Sequence, residues 1–214
     1  MNRNPGARRS LPPHFSLLRT FTPADFVTML NAVSGICSVF ATFEYGRTTQ
    51  LAYAWAAIAL VGLAAVADFL DGRIARRSRR ASALGGDLDS LADLVSFGVA
   101  PAILAFAIGM NGGWDWLVLA YFVCCGLSRL ARYNVTASAL AGENGKVLYF
   151  EGTPIPTSVV LVGIVAVLVA QGRVHEQLPL GELRLGPGAF HPFVLLYLVS
   201  GTLMVSARLR LPKP

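Results

Sequence analysis

Long apolar runs alternate with short polar stretches along this chain. The runs fall near Phe26–Phe43, Leu51–Asp71, Asp89–Met110, Trp114–Tyr133, Pro154–Gln171 and Ala189–Ala207. A helix needs about 20 mostly apolar residues to cross the hydrocarbon core of a bilayer, and each run approaches that length. One such run alone would suit a buried helix of a soluble domain. Six of them leave too little polar sequence to wrap a soluble core. The pattern therefore predicts an all-α, polytopic membrane protein with six transmembrane helices. Three regions follow: an N-terminal segment over 1–25, one membrane domain over 26–207 and a short basic tail over 208–214. The first segment is rich in Pro and Arg and carries Leu11, Phe15, Leu17, Leu18 and Phe21. It lacks the ordered basic, apolar and small-residue regions of a cleaved signal peptide. A helix lying on the membrane surface and an unstructured arm both suit it. No internal repeat is visible.

Charge adds an orientation. Of 214 residues only 14% are charged and 54% are hydrophobic, against about 25% charged in soluble domains. With a cytoplasmic N-terminus, all of the 18 basic residues except Arg47, Arg173 and Arg184 fall on the cytoplasmic side. That asymmetry is the positive-inside pattern, and it puts both termini in the cytoplasm. The net charge of +6 is then a basic fringe facing an anionic leaflet, not a nucleic-acid surface. Cys37, Cys124 and Cys125 all lie within predicted spans; an odd count without metal-ligand spacing marks them as small apolar fillers. A compact chain of this size points to a bacterial plasma membrane.

The chemistry gathers at one corner. Carboxylates at a span's edge are costly, by roughly 2.5–3.5 kcal/mol each on insertion scales. Yet Asp68 and Asp71 close the second span while Asp89 and Asp93 open the third. Each pair has helical spacing and shares one face, and the short connection makes the two spans antiparallel neighbours. Four acids then converge near the cytoplasmic surface, where hard divalent cations are their natural partners. Gly72 and Ala75 keep that face small, Gly85 and Gly86 give a flexible turn, and Arg76 is placed to contact a phosphate. The plainer alternative is a solvated loop in which Arg73, Arg76, Arg77, Arg79 and Arg80 pair with the acids.

Residues 68–93 read D-x2-D-G-x2-A-R-x8-G-x3-D-x3-D, with Asp68, Asp71, Gly72, Ala75, Arg76, Gly85, Asp89 and Asp93 in the fixed places. This resembles the signature of the CDP-alcohol phosphotransferase family at every fixed position. The resemblance implies a six-helix fold, usually a homodimer, with two divalent cations, Mg²⁺ or Mn²⁺, in a site open to the cytoplasm. It implies that Asp68, Asp71 and Asp89 chiefly bind metal, and that Asp93 is a further ligand or the base for the attacking hydroxyl. The CDP-binding set it implies is Asp68, Gly72, Ala75, Arg76 and Gly85. Asn31, a polar residue in the first span, approaches the nucleotide or bonds to another helix. In such chemistry the protein supplies position and charge stabilisation, metals neutralise phosphate oxygens, and a carboxylate takes the alcohol's proton. Direct in-line displacement of CMP is expected, with no covalent enzyme intermediate.

Three further strings, Leu88–Ala102, Cys125–Asn134 and Tyr149–Pro156, resemble the phosphatidylserine synthase branch of that family. They imply CDP-diacylglycerol as donor and L-serine as acceptor. A serine pocket needs a cation for the carboxylate, and Arg129 and Arg132 offer guanidinium groups suited to bidentate pairing; membrane anchoring is their alternative role. Ser96, Asn134 and Glu151 are further candidates. Other acceptors, such as glycerol 3-phosphate or inositol phosphate, remain compatible, since Arg129, Arg132 and Lys146 can meet a second phosphate. A divalent-metal transporter would need polar groups near the midplane and along both halves of a path, which the acids at one end do not provide. His14, His175 and His191 stand apart from the acids in sequence.

Overall fold

The computed structural model describes residues 22–77, 84–140, 149–186, 188–206 and 210–212, and of residues 76–77, 136–140, 149–151 and 210–212, Arg76, Arg77 and Glu151 among them, only the backbone. Most of the N-terminal segment, Arg79, Arg80, Lys146, Arg208 and Lys213 thus lie outside the described residues.

Helix α1 (Pro23–Thr48) opens on Thr22, whose backbone N–H donates to the Asp25 carboxylate at 2.6 Å. It closes on Thr49 in the left-handed conformation, and α2 (Leu51–Arg77) starts almost at once. So short a link makes the two an antiparallel hairpin. Their packing inverts the soluble rule. Helix α1 turns Thr28, Asn31, Ser34, Gly35, Ser38 and Thr42 inward, while Phe26, Val33, Phe40 and Phe43 face outward. Helix α2 answers with a buried stripe of Ala54, Ala57, Val61, Ala64 and Ala67. Small residues at helical spacing let backbones approach, and lipid solvates the large side chains outside. Ser38 closes the contact by donating to the Ala57 carbonyl at 2.9 Å.

The third span is not one uniform helix. It runs as α3 (Gly85–Asp93), a π-helical turn (Leu94–Val99) and α4 (Ala100–Ala107). Helix α5 (Gly113–Leu140) returns towards the acidic end. Strand β1 (Tyr149–Glu151) and a 3-10 turn (Ile155–Ser158) then lead into α6 (Val159–Ala170). The side chain of Ile155, fully buried, seats against Gly98 and Gly126, joining this turn to the π-turn and to α5. Strands β2 (Leu183–Leu185) and β3 (Gly188–Phe190) form an antiparallel pair before α7 (Leu195–Val205). Strand β4 (Arg210–Pro212) pairs antiparallel with β1.

Four helical stretches are long and apolar enough to cross a membrane: Pro23–Thr48, Leu51–Ala75, Gly85–Ala107 and Gly113–Val135. The last two apolar helices, Ile155–Ala170 and Pro192–Val205, are shorter. The chain is thus a mostly helical membrane protein with two small strand pairs, not a purely helical one. The sixth apolar run begins later than its hydropathy indicates. Ala189 and Phe190 lie in β3, and a 3-10 turn that opens on Pro192 precedes α7. Asp115, fully buried, fixes this end by accepting the backbone N–H groups of Gly112 and His191, both at 2.9 Å, and pairing with His191 Nδ1 at 2.6 Å.

Candidate active site

Asp68 and Asp71 lie one turn apart near the end of α2, and Asp89 lies in α3. Ligand oxygens of these three residues come within 4.8 Å of one another. Each like-charge pair at that distance costs about 3 kcal/mol at an effective dielectric constant of 20. Among the described residues, no Lys or Arg forms an ion pair with them. Arg73, which the solvated-loop alternative would put on the acids, lies over the Phe69 ring at 5.1 Å. Asp89 Oδ1 is buried with no hydrogen-bond partner. An orphaned anionic oxygen beside two further carboxylates is the donor set of a hard divalent cation, so the residues present fit such an ion.

Asp93 stands outside that group of three. One helical turn along the third span puts it about 6 Å further from the acidic end than Asp89. It is buried, with only 7% of its surface exposed, and its Oδ1 accepts the Asn31 amide Nδ2 at 3.0 Å. Of the two expectations for Asn31, the structure displays the hydrogen bond to another helix. Thr28, one turn earlier on α1, donates to Asp71 Oδ2 at 2.8 Å. Ser96, in the π-turn, donates to the Asn31 backbone carbonyl at 3.0 Å. Its hydroxyl is therefore committed to holding α1.

The other expected site residues divide. Gly72 has open space where a side chain would project, and Ala75 is exposed beside it. Gly85 begins α3. The side chains of Arg76 and Glu151 lie outside the described residues. Arg129 is half-buried on α5 within electrostatic reach of Asp93, and its Nε is buried without a hydrogen-bond partner. Arg132 is exposed. Asn134 spans from α5 to α3, accepting from Ser90 at 3.0 Å and donating to Asp87 at 3.2 Å. His175 meets Tyr45 and His191 meets Asp115, both away from the acids.

Thr28 is the residue that sequence reasoning missed. A signal existed: Thr28 and Asn31 belong to a polar stripe at helical spacing, with Ser34, Ser38 and Thr42, along the first span. Cys37, Cys124 and Cys125 are all free thiols.

The model of the CDP-alcohol phosphatidyltransferase family matches residues 21–205. This chain belongs to the CDP-alcohol phosphatidyltransferase family. As a member of that family it also resembles curated proteins along most of its length. It is 45% identical over 204 residues to the CDP-diacylglycerol–serine O-phosphatidyltransferase of Saccharomyces cerevisiae, covering 94% of this chain and 74% of that protein. The identically named protein of Mycobacterium tuberculosis is 34% identical, over 69% of this chain and 50% of its own length. The archaetidylserine synthase of Methanothermobacter thermautotrophicus is 37% identical, over 64% of this chain and 54% of its own. Against these last two relatives the chain spans about half of their length. The aspartate cluster sits inside the region that matches the family.

Proposed function

We propose that this protein transfers the phosphatidyl group of CDP-diacylglycerol to the hydroxyl of L-serine, making phosphatidylserine and CMP. The convergence of Asp68, Asp71 and Asp89 carries this reading, in a chain whose relatives named for that reaction match 94% of it in one case. The serine oxygen attacks the phosphorus of the donor, a new P–O bond forms, and the phosphoanhydride bond to CMP breaks in line. Two divalent ions, Mg²⁺ or Mn²⁺, would be held by Asp68, Asp71 and Asp89, and when bound they offset negative charge growing on the phosphate oxygens. Asp93, outside that set and beside Arg129, takes the serine hydroxyl proton. Arg129 turns an unpartnered donor towards the serine carboxylate. The open face at Gly72 and Ala75 admits the cytidine nucleotide.

Six spans, with the acids and both termini cytoplasmic in a bacterial plasma membrane, complete the reading. The pairing of β1 with β4 supports it, because α6 and α7 then leave and return to one level. The short α6 and α7 suit local bilayer thinning. The basic residues, which in the sequence fall almost entirely in segments on the side of the spans predicted to be cytoplasmic, support the orientation. A homodimer belongs to the same reading, and its test is crosslinking in native membranes.

Purified protein supplied with Mg²⁺, CDP-diacylglycerol and each labelled alcohol in turn decides the acceptor. Serine should give a labelled lipid and stoichiometric CMP. A labelled lipid from glycerol 3-phosphate or inositol phosphate instead would move the assignment to that acceptor.

A further inference from the structure

Helix α1 meets the acids with two donors one turn apart, and the two do different things. Thr28 reaches Asp71, a member of the three-carboxylate group. Asn31 reaches Asp93, which is not. Asn31 is itself fixed from both sides. Its carbonyl accepts the Ser96 hydroxyl, and Gly35, one turn on, lies so close that a Cβ there would collide with Ser96 Oγ. The amide's orientation follows from chemistry, since only its NH₂ end can donate to a carboxylate. Its Oδ1 is left buried with no partner, an expensive state for a group that serves only to join helices.

We propose that Asn31 is a positioning residue: its amide fixes the Asp93 carboxylate and aims it at the attacking alcohol, so that the fourth aspartate can accept the alcohol's proton. The helix bond alone would hold the packing. The specific consequence of removing the amide is that the Asp93 carboxylate loses the amide donor that fixes its orientation. This inference rests on the proton-acceptor role proposed for Asp93.

The test is a double-mutant cycle on the full chain in nanodiscs, with Asn31→Leu, Asp93→Asn and both together. CMP release gives kcat and KM, and Mn²⁺ titration gives metal affinity. Asn31→Leu should lower kcat about 10- to 100-fold with both KM values within about twofold, and should leave Mn²⁺ affinity equal or raised. In the Asp93→Asn background the same substitution should cost less than about threefold, because its effect passes through Asp93. A raised KM for the CDP-lipid at unchanged kcat would make Asn31 a nucleotide contact and overturn the proposal. So would additive losses in the cycle, or a tenfold fall in Mn²⁺ affinity. If the Leu variant does not fold, Asn31→Ser is read by the same criteria. If wild type uses an alcohol other than serine, the cycle is run with that alcohol. If it releases no CMP with any alcohol, the functional reading fails by itself, and the Mn²⁺ affinity of Asn31→Leu decides the positioning claim.

Discussion

Asp71 and Asp93 look alike in the sequence and differ in what touches them. Asp71 takes a hydroxyl donor from Thr28 and stays within the carboxylate group, whereas Asp93 takes an amide and stands a turn away. Substituting each contact should have separable effects. Thr28→Val keeps the shape of the side chain but removes a hydrogen bond that orients a carboxylate proposed to bind metal. It is expected to weaken Mn²⁺ binding about 10- to 100-fold, read by titration of the purified protein. Asp93→Asn preserves size and removes the proposed proton acceptor. It should cut turnover about 10²- to 10⁴-fold while Mn²⁺ binding persists; retention of full CMP release would remove Asp93 from the chemistry. The four acids were legible because their spacing is periodic and their cost in a span is high. Thr28 was not singled out, because it is one member of a polar stripe with Asn31, Ser34, Ser38 and Thr42, and only the packed neighbour shows which of them meets an acid.

The helices do their positioning through small residues. Helix α1 presents Thr28, Asn31, Ser34, Gly35 and Ser38 to the interior, so its backbone approaches the π-turn closely enough for Ser96 to reach the Asn31 carbonyl. Gly35→Ala should therefore be disruptive despite adding one carbon: the new Cβ would fall 2.9 Å from the Ser96 Cα, a backbone atom that cannot step aside. A loss of about 1–3 kcal/mol is expected, visible as a lower melting temperature in detergent, with turnover reduced as α1 shifts from Asp71 and Asp93. An unchanged melting temperature would contradict the close approach. The inward polar stripe was present in the sequence at helical spacing. The π-turn was not, because Leu94–Val99 is an ordinary apolar string whose extra residue per turn answers to packing against α1 and Ile155.

The molecule has two differently built ends. One carries the acids. The other is tied by the buried Asp115–His191 pair and the Tyr45–His175 contact, with Trp114 and Trp116 close by, each donating to a backbone carbonyl, as interfacial tryptophans do. Single cysteines placed in a cysteine-free background test this polarity. An impermeant maleimide applied to sealed vesicles should label Arg73→Cys and Glu182→Cys from opposite sides, since three spans separate them when α6 crosses. Labelling from one side would reduce α6 to a helix that does not cross, and the six-span reading would fall with it.

Hydropathy alone established a lipid-solvated helical protein, because a bilayer admits few ways to satisfy a backbone. Periodic acids alone pointed to the corner where three carboxylates gather, since carboxylates at span edges persist only with partners. Neither could say which acid does what. That depends on α1, distant in sequence from Asp93 yet packed against it, and on the distance of each carboxylate oxygen from the others. Electrostatic and hydrogen-bond energies change steeply over a few ångströms, and those distances exist only once the helices have packed.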